Sequence, residues 1–533
     1  YLYVDKTEVI HRLITSGKPF FLARPRRFGK SLLVSTLAEI FKGNKPLFEG
    51  LAIYDKWDWS RKHPVIHLDW SGTSFSTIDE MELRYREFLL RTAKDYGVEI
   101  SSKIPELRAL VEALFQKYNQ QVVVLVDEYD KPMQDAIDKD NPQKLADVRV
   151  ALNRIYNPLK SCDPYLKFLL LTGISRFAGL SVFSTLNNLT DISLDKRYST
   201  ICGYTQEELE SNFSEYIDAL AQNKNTPKTK ILADIRAWYN GYSWDGKTSV
   251  YNPYSTLRLL NVNEFENFWF LTATPTFLID IISERKRENA ILGEIVVDTL
   301  SAMTDDPYKV SESILLFQTG YLTIKKIQEL PTWERIYTLD FPNREVRESF
   351  VRSLLAKYKQ SIDDNSASTR RKLEAQLLAA DSVALSETLR EVLAWIPYEI
   401  IVEDEHYYHS ILLLWLRLLG FNITAELSTN LGRIDAVWEL PDQIFVAEIK
   451  YGRPAKSKKS DKSKKSAKGA NAKTTRSENA LNKLLAAAFA QIEEKRYPER
   501  YKTENKKIKA LAIACSGKEI KCEVKKIEGI REV

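Results

Sequence analysis

The stretch that decides the fold of this chain is ARPRRFGKSL, residues 23–32. Its GKS at 29–31 matches the end of the phosphate-binding pattern G-x-x-x-x-G-K-[S/T], but Arg24 stands where that pattern has its first glycine. The apolar run KPFFLA before the loop predicts a buried strand, and the periodic run SLLVSTLAEIF after it predicts a helix. Strand, loop and helix in this order are the context that a phosphate-binding loop needs.

Three further apolar runs end in polar residues and extend this pattern to four strands. They are PVIHLDW at 64–70, QVVVLVDEYD at 121–130 and LKFLLLTGISRF at 166–177. Helical patterns fill the intervals, with one long region at 77–118 and a second helix at 142–159. Alternating strands and helices predict an α/β fold with a parallel sheet covered on both faces, and ligands gather at the carboxyl ends of such strands.

The polar residues that follow the strands are therefore expected at one edge of the sheet, where each has a role in phosphate chemistry. Backbone N–H groups of the loop and first helical turn would cradle the phosphates of a nucleotide, and Lys30 would reach the β- and γ-phosphates. Ser31 and Asp127 would hold Mg²⁺. Glu128 would orient or deprotonate the attacking water, and the end of the fourth strand would sense the γ-phosphate. The predicted nucleotide-binding residues are Arg26, Arg27, Phe28, Gly29, Lys30, Ser31, Leu32, Asp127, Thr172 and Arg176.

Each of these signals also has a less specific interpretation. A GKS tripeptide occurs by chance, and a strand that ends in Asp-Glu is often only a capped edge. Both motifs, in order and in register with four strands, favour a nucleotide site. For Arg24, Arg26 and Arg27 two interpretations stay open, since they either contact phosphate or are solvated and paired with acids elsewhere.

Four motifs, in this order, resemble those of the AAA-ATPase-like proteins of bacteria. They are YVDKTEVIHRLI at 3–14, FFLARPRRFGKSLL at 20–33, VVVLVDEYDKP at 122–132 and LTGISRF at 171–177. In that family R-P-R-R-F-G-K-S is the usual form of the loop, so Arg24 belongs to the family's own variation. The resemblance implies a P-loop NTPase fold that binds and hydrolyses ATP with Mg²⁺.

The middle of the chain, residues 204–345, shows helical patterns and no catalytic constellation. Thr205 and Glu208 form a predicted capping box, and residues 321–326 and 335–343 predict a hairpin. Dense aromatic residues have two interpretations, stacking on nucleic-acid bases or, as we favour, packing in the core and turns. The resemblance implies a helical lid with winged-helix character here. The aromatic residues are Trp238, Tyr239, Tyr242, Trp244, Tyr251 and Tyr254.

Nearer the C-terminus, three charged residues lie on two predicted strands whose neighbouring residues are apolar. Asp435 lies in GRIDAVWEL, and Glu448 and Lys450 lie in DQIFVAEIKYG, where a period of two places both on one face. Two carboxylates on adjacent strands beside a lysine can bind Mg²⁺ and polarise a phosphodiester. Charged residues also alternate on many half-exposed strands, but the apolar neighbours of these three argue against an exposed surface.

The motifs EHYYHS, GRIDAVWE, AEIKYG and QIEEKRY resemble, in this order, the PD-(D/E)xK nuclease superfamily in the version fused behind AAA-ATPase-like domains. The resemblance implies a restriction-endonuclease-like α/β fold in which Asp435, Glu448 and Lys450 are catalytic and the two carboxylates are metal ligands. The further residues that it implies are Glu405 as a metal ligand, and Gln491 and Tyr497 as phosphate contacts or supports of the site.

The positive charge of the chain is concentrated in one segment. The net charge is +5, yet residues 453–476 hold ten Lys or Arg and one acid, a net +9, which leaves −4 on the rest. This segment is rich in Lys, Ser and Ala and cannot bury enough apolar surface to offset its ordering entropy, so a flexible insertion at 453–477 is predicted. A tether to nucleic-acid phosphates is the alternative.

The cysteine content and the lengths of the apolar runs argue against several classes of protein. Four cysteines without close spacing argue against a zinc site or a disulfide framework, and no apolar run approaches the length of a membrane span. Without an export signal, we expect a cytoplasmic protein with no membrane partner. The predicted domains are an ATPase domain at 1–203, a lid at 204–345, a helical connector at 346–395 and a nuclease-like domain at 396–533.

Two functions remain open at this stage. The first is an ATP-hydrolysing protein coupled to a Mg²⁺-dependent nuclease that acts on DNA. The second is a signalling ATPase switched by its nucleotide, whose nuclease-like domain binds nucleic acid without cleaving it. A homo-oligomer is compatible with either function.

Overall fold

A computed structural model describes most of the chain in two compact units, one ending at Phe350 and the other formed mainly by residues 351–533. For a few residues only the backbone is described: 142, 366–367, 394, 422, 424–428, 433, 468–477 and 500. The residues outside the description are 1, 18, 73–76, 102, 104, 138–140, 176–185, 187, 270–294, 301–309, 351–365, 395–411, 414–415, 417–418, 420, 429–432, 453–467, 502–505, 517–518 and 528–533.

The first unit is built on a five-stranded parallel sheet, which confirms the predicted fold class. Its strands follow the spatial order β2-β3-β4-β1-β5, so β4 lies between the strand before the GKS loop and the strand that ends in Asp127. The short β5 at the edge was not predicted. The strands are β1 (Phe20–Ala23), β2 (Val65–Asp69), β3 (Val122–Asp127), β4 (Leu166–Gly173) and β5 (Thr190–Asp191).

Helices cover this sheet, because its strands are apolar on both faces and both must be buried. The prediction of one helical region at 77–118 was wrong. Gly97 takes a left-handed backbone (φ +62°) just after the first helix ends, and Pro105 precedes the second. The helices are α1 (Thr7–Thr15), α2 (Lys30–Lys42), α3 (Ile78–Asp95), α4 (Leu107–Tyr118), α5 (Lys131–Asp135) and α6 (Pro142–Tyr156).

The rest of the first unit is a set of helices with a small antiparallel sheet of order β6-β8-β7. The capping box of Thr205 and Glu208 and the predicted hairpin are both confirmed. The six aromatic residues singled out between Trp238 and Tyr254 are buried or half-buried, as core packing requires. The elements are α7 (Gln206–Asn212), α8 (Ser214–Asn223), α9 (Lys228–Tyr239), α10 (Pro253–Val262), β6 (Ile295–Val297), α11 (Glu312–Thr319), β7 (Thr323–Glu329) and β8 (Arg335–Asp340).

The second unit contains a mixed sheet of order β13-β12-β11-β10-β9, in which β11 and β12 are parallel and the other neighbours antiparallel. α12 and α13 cover one face and α14 covers the other. The elements are α12 (Ser366–Ala379), α13 (Ser382–Ala394), β9 (Asn422–Ser428), β10 (Arg433–Glu439), β11 (Gln443–Tyr451), α14 (Lys468–Glu494), β12 (Lys507–Ser516) and β13 (Glu519–Lys526).

Three expectations for this unit differ from the structure. α12 and α13 pack in its core, where Ser386 accepts a hydrogen bond from the Cys522 N–H at 2.9 Å, whereas the sequence suggested a separate connector. α14 begins at Lys468, so residues 468–477 of the predicted flexible insertion are helical, although half of them are Gly, Asn, Thr or Ser, which are weak helix formers. β12 does not close the sheet, because β13 pairs with it antiparallel.

Candidate active sites

The GKS loop turns tightly into the N-terminus of α2. Arg27 (φ +64°) and Gly29 (φ +88°) both take left-handed backbones, and α2 starts at Lys30. The Lys30 ammonium is buried and donates to the carbonyl oxygens of Arg24 at 3.0 Å and Pro25 at 3.1 Å. The loop thus wraps its own lysine, and the N–H groups at the start of α2 make it an anion-binding end.

The acidic side of the site lies at the ends of β3 and β4. Asp127 is buried and accepts a hydrogen bond from the Thr172 hydroxyl on β4. Glu128 follows with a left-handed backbone (φ +52°), and its N–H donates to Asp127 Oδ1 at 3.1 Å. A bulky residue in this region of backbone space is strained, which is common at functional sites.

The charges of the loop and of the acidic strand interact. Burial lowers the pKa of Lys30, and the neighbouring carboxylates, Glu128 foremost, oppose that shift. Burial raises the pKa of Glu128, and the positive charges of Lys30 and Arg26 partly offset it. The structure therefore brings Lys30, Asp127, Glu128 and Thr172 together, as the sequence predicts.

Arg24 is a structural residue in this geometry. It is buried, and its guanidinium donates to the carbonyls of Ala23, Ser193 and Tyr198 at 2.8–3.1 Å. It also lies 3.9 Å from the centre of the Trp244 ring. Burial lowers its pKa to about 10, which leaves it charged at neutral pH. The residue that replaces the first glycine thus fastens the loop to the chain after β5 and to Trp244.

The other predicted nucleotide-binding residues point in different directions. The Phe28 ring is buried against Tyr242 and Trp244, with centroids 4.7 and 5.4 Å away, so its side chain packs in the core. The Arg27 guanidinium lies 5.3 Å from the Tyr254 ring. Gly29, Ser31 and Leu32 are exposed, and Arg176 lies outside the described residues.

Three contributors were missed by the sequence interpretation. Asp130 is buried and accepts hydrogen bonds from the N–H groups of Ile174 and Ser175 after β4. Gln134 bonds both Asp130 and Arg26. The Trp269 indole N–H donates to the Arg26 carbonyl at 3.0 Å. Asp130 stands in the DEYD run, so that run was the available signal, whereas Gln134 and Trp269 carry no local pattern.

In the second unit, Asp435 and Glu448 meet where the pairing of β10 and β11 ends. The paired register runs to Ala436 opposite Ala447. One residue further, Asp435 Oδ2 accepts a hydrogen bond from the Ile449 N–H at 2.9 Å. Lys450 Nζ donates to Glu448 Oε1 at 2.9 Å. The predicted trio is therefore gathered on two neighbouring strands.

Glu448 has the properties of a cation ligand. It is fully buried, and burial with the charge of Asp435 raises its pKa to about 7, an effect that Lys450 opposes. Its Oε2 accepts no hydrogen bond from the described residues. A bound divalent cation would satisfy that oxygen and relieve the repulsion between the carboxylates, so the residues present fit Mg²⁺.

Three other residues are predicted for this site: Glu405, Gln491 and Tyr497. Among the described residues no group of three His, Cys, Asp or Glu could hold a metal, and Glu405, the predicted further ligand, lies outside them. Gln491 on α14 donates to the Tyr497 hydroxyl at 3.4 Å, and Tyr497 is buried in the core between α14 and the sheet. Glu448 continues the row of Ile444 and Val446 on that α14 face.

Comparison with known proteins matches both sites to families. Residues 1–183 match the model described as predicted AAA-ATPase, and residues 403–525 match that of the PD-(D/E)XK nuclease superfamily. The chain is also 36% identical over 459 residues to "Uncharacterized protein in vnfD 5'region" of Azotobacter chroococcum mcd 1, covering 84% of this chain and 86% of the relative. The chain belongs to the AAA-ATPase-like family with a C-terminal PD-(D/E)XK nuclease domain.

Two further findings concern solved structures and membrane-spanning helices. No solved structure matches this AAA-ATPase-like chain significantly. Within the described residues, none of the helices has the length and apolar character needed to cross a membrane.

Proposed function

We propose that this protein hydrolyses ATP at the GKS loop and cleaves DNA in a Mg²⁺-dependent reaction at Asp435, Glu448 and Lys450. The observation that carries the nuclease assignment is the pair of adjacent carboxylates with a lysine bonded to one of them. A fully buried Glu448 whose Oε2 has no hydrogen-bond partner among the described residues costs stability, which favours a functional reason for its presence. The Lys30, Asp127 and Glu128 constellation supports the ATPase assignment.

At the nucleotide site, each residue has a role that its contacts support. Lys30 donates to the carbonyl oxygens of Arg24 and Pro25 at 3.0 and 3.1 Å and would exchange them for phosphate oxygens. A charged oxygen is the stronger acceptor for an ammonium group. Ser31 and Asp127 offer the oxygen ligands that Mg²⁺ prefers. Burial raises the pKa of Glu128, which makes it a better proton acceptor for the attacking water.

At the nuclease site, Asp435 and Glu448 would hold Mg²⁺, which polarises the scissile phosphate and lowers the pKa of bound water. Lys450 is fixed by Glu448 and would stabilise the negative charge that develops on the phosphate. Glu448 stands beside Ala512 and Lys450 beside Ala514 on β12, small side chains on the same face of the sheet. The trio therefore lies at the end of a strand pair and beside small neighbours.

The test compares cleavage and ATP turnover in the same full-length preparations. Asp435→Ala and Lys450→Ala are each expected to abolish Mg²⁺-dependent cleavage of single- and double-stranded DNA while ATP turnover stays within about twofold of wild type. Lys30→Ala is expected to abolish ATP turnover. Asp442→Ala removes an exposed carboxylate at the start of the hairpin between β10 and β11 and serves as the matched control.

A wild-type chain that cuts neither form of DNA, with Mg²⁺ and ATP supplied, would refute the nuclease assignment. Tight, metal-independent DNA binding without product would instead support the signalling ATPase that binds without cleaving. RNA is included as a third substrate, and faster cleavage of RNA than DNA would correct the substrate class.

A further inference from the structure

The three arginines of the loop have different surroundings, and Arg26 is hydrogen-bonded to α5, the helix that follows β3 and Glu128. Arg24 is buried, its two terminal nitrogens donate to backbone carbonyls, and its guanidinium lies against Trp244. Arg27 is exposed and lies over Tyr254. Arg26 is half-buried and lies close enough to Glu128 to lower the pKa of that carboxyl, against the larger effect of burial.

The side chain of Arg26 is held by a polarised chain of hydrogen bonds. Its Nη2 donates to Gln134 Oε1 at 2.8 Å, and Gln134 Nε2 donates to Asp130 Oδ2 at 2.8 Å. A carboxylate only accepts, so Asp130 fixes the amide of Gln134 with its nitrogen inward and its oxygen toward Arg26. The amide therefore presents an acceptor to the guanidinium.

Asp130 anchors this chain in the protein interior. It is 1% exposed, and it also accepts hydrogen bonds from the Ile174 N–H at 3.1 Å, the Ser175 N–H at 2.9 Å and the Ser175 hydroxyl at 3.0 Å. Those donors directly follow Gly173, the last residue of β4, and the preceding Thr172 donates its hydroxyl to Asp127. The position of Arg26 is thus tied to the same strand end that positions the metal-binding carboxylate.

The backbone of Arg26 is fixed as well. The Trp269 indole N–H donates to the Arg26 carbonyl at 3.0 Å, and the buried Glu345 accepts the Trp269 backbone N–H at 2.6 Å. With one guanidinium arm held by Gln134 and the carbonyl by Trp269, the remaining N–H groups of Arg26 can meet a ligand without a large loss of side-chain entropy.

We propose that Arg26 is a catalytic arginine supplied by the chain itself, which stabilises the γ-phosphoryl group during its transfer to water. Asp130 and Gln134 are its positioning residues. This inference rests on the proposed ATP hydrolysis. In the reaction the water oxygen bonds to the γ-phosphorus and its proton passes to Glu128. The bond to the β–γ bridging oxygen breaks, and its electron pair leaves with ADP. Arg26 donates hydrogen bonds to the phosphoryl oxygens and exchanges no proton.

The test separates nucleotide binding from turnover. Arg26→Ala is expected to lower kcat by about a hundredfold or more, the scale of arginine effects in phosphoryl transfer, while ADP affinity changes by less than about threefold. It should also abolish the tight binding of the complex of Mg²⁺, ADP and aluminium fluoride, in which aluminium fluoride mimics the transferred phosphoryl group. Arg108→Ala, which removes an exposed arginine paired with Glu112, is the control.

Gln134→Met keeps the length of the side chain and removes its acceptor. It is expected to lower kcat by about tenfold with KM for ATP nearly unchanged, and to weaken aluminium fluoride capture, which a merely structural role would not do selectively. Gln143→Met on α6, which removes an exposed glutamine bonded to Asp147, is its control.

The outcomes distinguish this inference from the proposed function. If wild type hydrolyses ATP and Arg26→Ala hydrolyses it equally fast, only the role of Arg26 is refuted. If Arg26→Ala loses ADP affinity and turnover in proportion, Arg26 is a binding residue and the inference also fails. If wild type binds ATP without turning it over, both the inference and the ATPase proposal fall.

Discussion

At the scale of single residues, Arg24 explains why a phosphate-binding loop can dispense with its first glycine. Glycine is needed where a backbone must take a left-handed turn or approach a phosphate closely, and here Gly29 and Arg27 supply the left-handed turns. Arg24 instead directly follows β1, its N–H donates to the Gly173 carbonyl, and its side chain donates to three further carbonyls. The departure from the pattern therefore adds contacts to the loop.

Arg24→Gly, which restores the general pattern, is expected to destabilise the protein without raising ATP turnover. Losing three charge-assisted hydrogen bonds and the contact with Trp244 should lower the free energy of unfolding by about 3 kcal/mol. Urea unfolding followed by tryptophan fluorescence would measure this, with Arg61→Gly, an exposed turn arginine, as the control. Unchanged stability with faster turnover would show that the loop prefers glycine.

At the scale of elements, the C-terminal end of α11 packs against the GKS loop. Gly320 ends α11 with a left-handed backbone (φ +90°), and a Cβ placed there would lie 2.6 Å from the Pro25 ring. The Pro25 carbonyl is one of the two acceptors of Lys30. The end of α11 thus touches a residue whose carbonyl holds the lysine expected to bind phosphate.

Gly320→Ala is expected to weaken nucleotide binding because Pro25 must move to make room for the methyl group. Gly50→Ala is the matched control, since Gly50 also has a left-handed backbone (φ +78°) but has nothing within 4 Å of its Cβ position among the described residues. Both variants should lose about 1 kcal/mol of stability from backbone strain. Only Gly320→Ala should lower ATP affinity, by about tenfold, in an equilibrium titration. Equal affinities in the two variants would show that the α11 contact does not reach the loop.

How much the sequence predicts also depends on the element. Most strands of the two five-stranded sheets follow from apolar runs, and the positions of Lys30, Asp127 and Glu448 follow with them. Three features do not follow: the break between α3 and α4, the short β5 and the start of α14. The break depends on one glycine and β5 on pairing with a distant strand, and the composition at the start of α14 does not by itself favour a helix.

The parts of the site that the sequence does not predict are held by long-range contacts. Gln134 lies 108 residues from Arg26 in the chain, and Trp269 lies 243 residues from it. Neither belongs to a motif with a fixed spacing, so only the folded geometry identifies them. The strand ends predict which residues carry the chemistry, whereas the residues that position them become visible only in three dimensions.

At the scale of the whole molecule, the positive charge of the chain is concentrated in the sequence next to the second candidate site, formed by Asp435, Glu448 and Lys450. The segment at 453–476 has a net +9, and the rest of the chain has a net −4. It follows β11, which ends just after Lys450. Because the rest of the chain has a net negative charge, this segment is the part of the chain that would attract a polyanion. It lies just after the strand that carries Glu448 and Lys450.

We expect the basic segment at 453–476 to contribute to DNA binding. Changing its six lysines between 456 and 465 to serine, in an Asp435→Ala background that cannot cut, should weaken duplex binding at low salt. The slope of log affinity against log salt should become shallower by about 0.9 for each phosphate that the protein no longer neutralises. The control changes the same amount of charge on exposed lysines of the first unit: Lys42, Lys56, Lys94, Lys160, Lys230 and Lys247. If both variants lose affinity equally, overall charge governs binding; if neither does, the basic segment is only a solvated insertion and the nuclease site must bind DNA by its own residues.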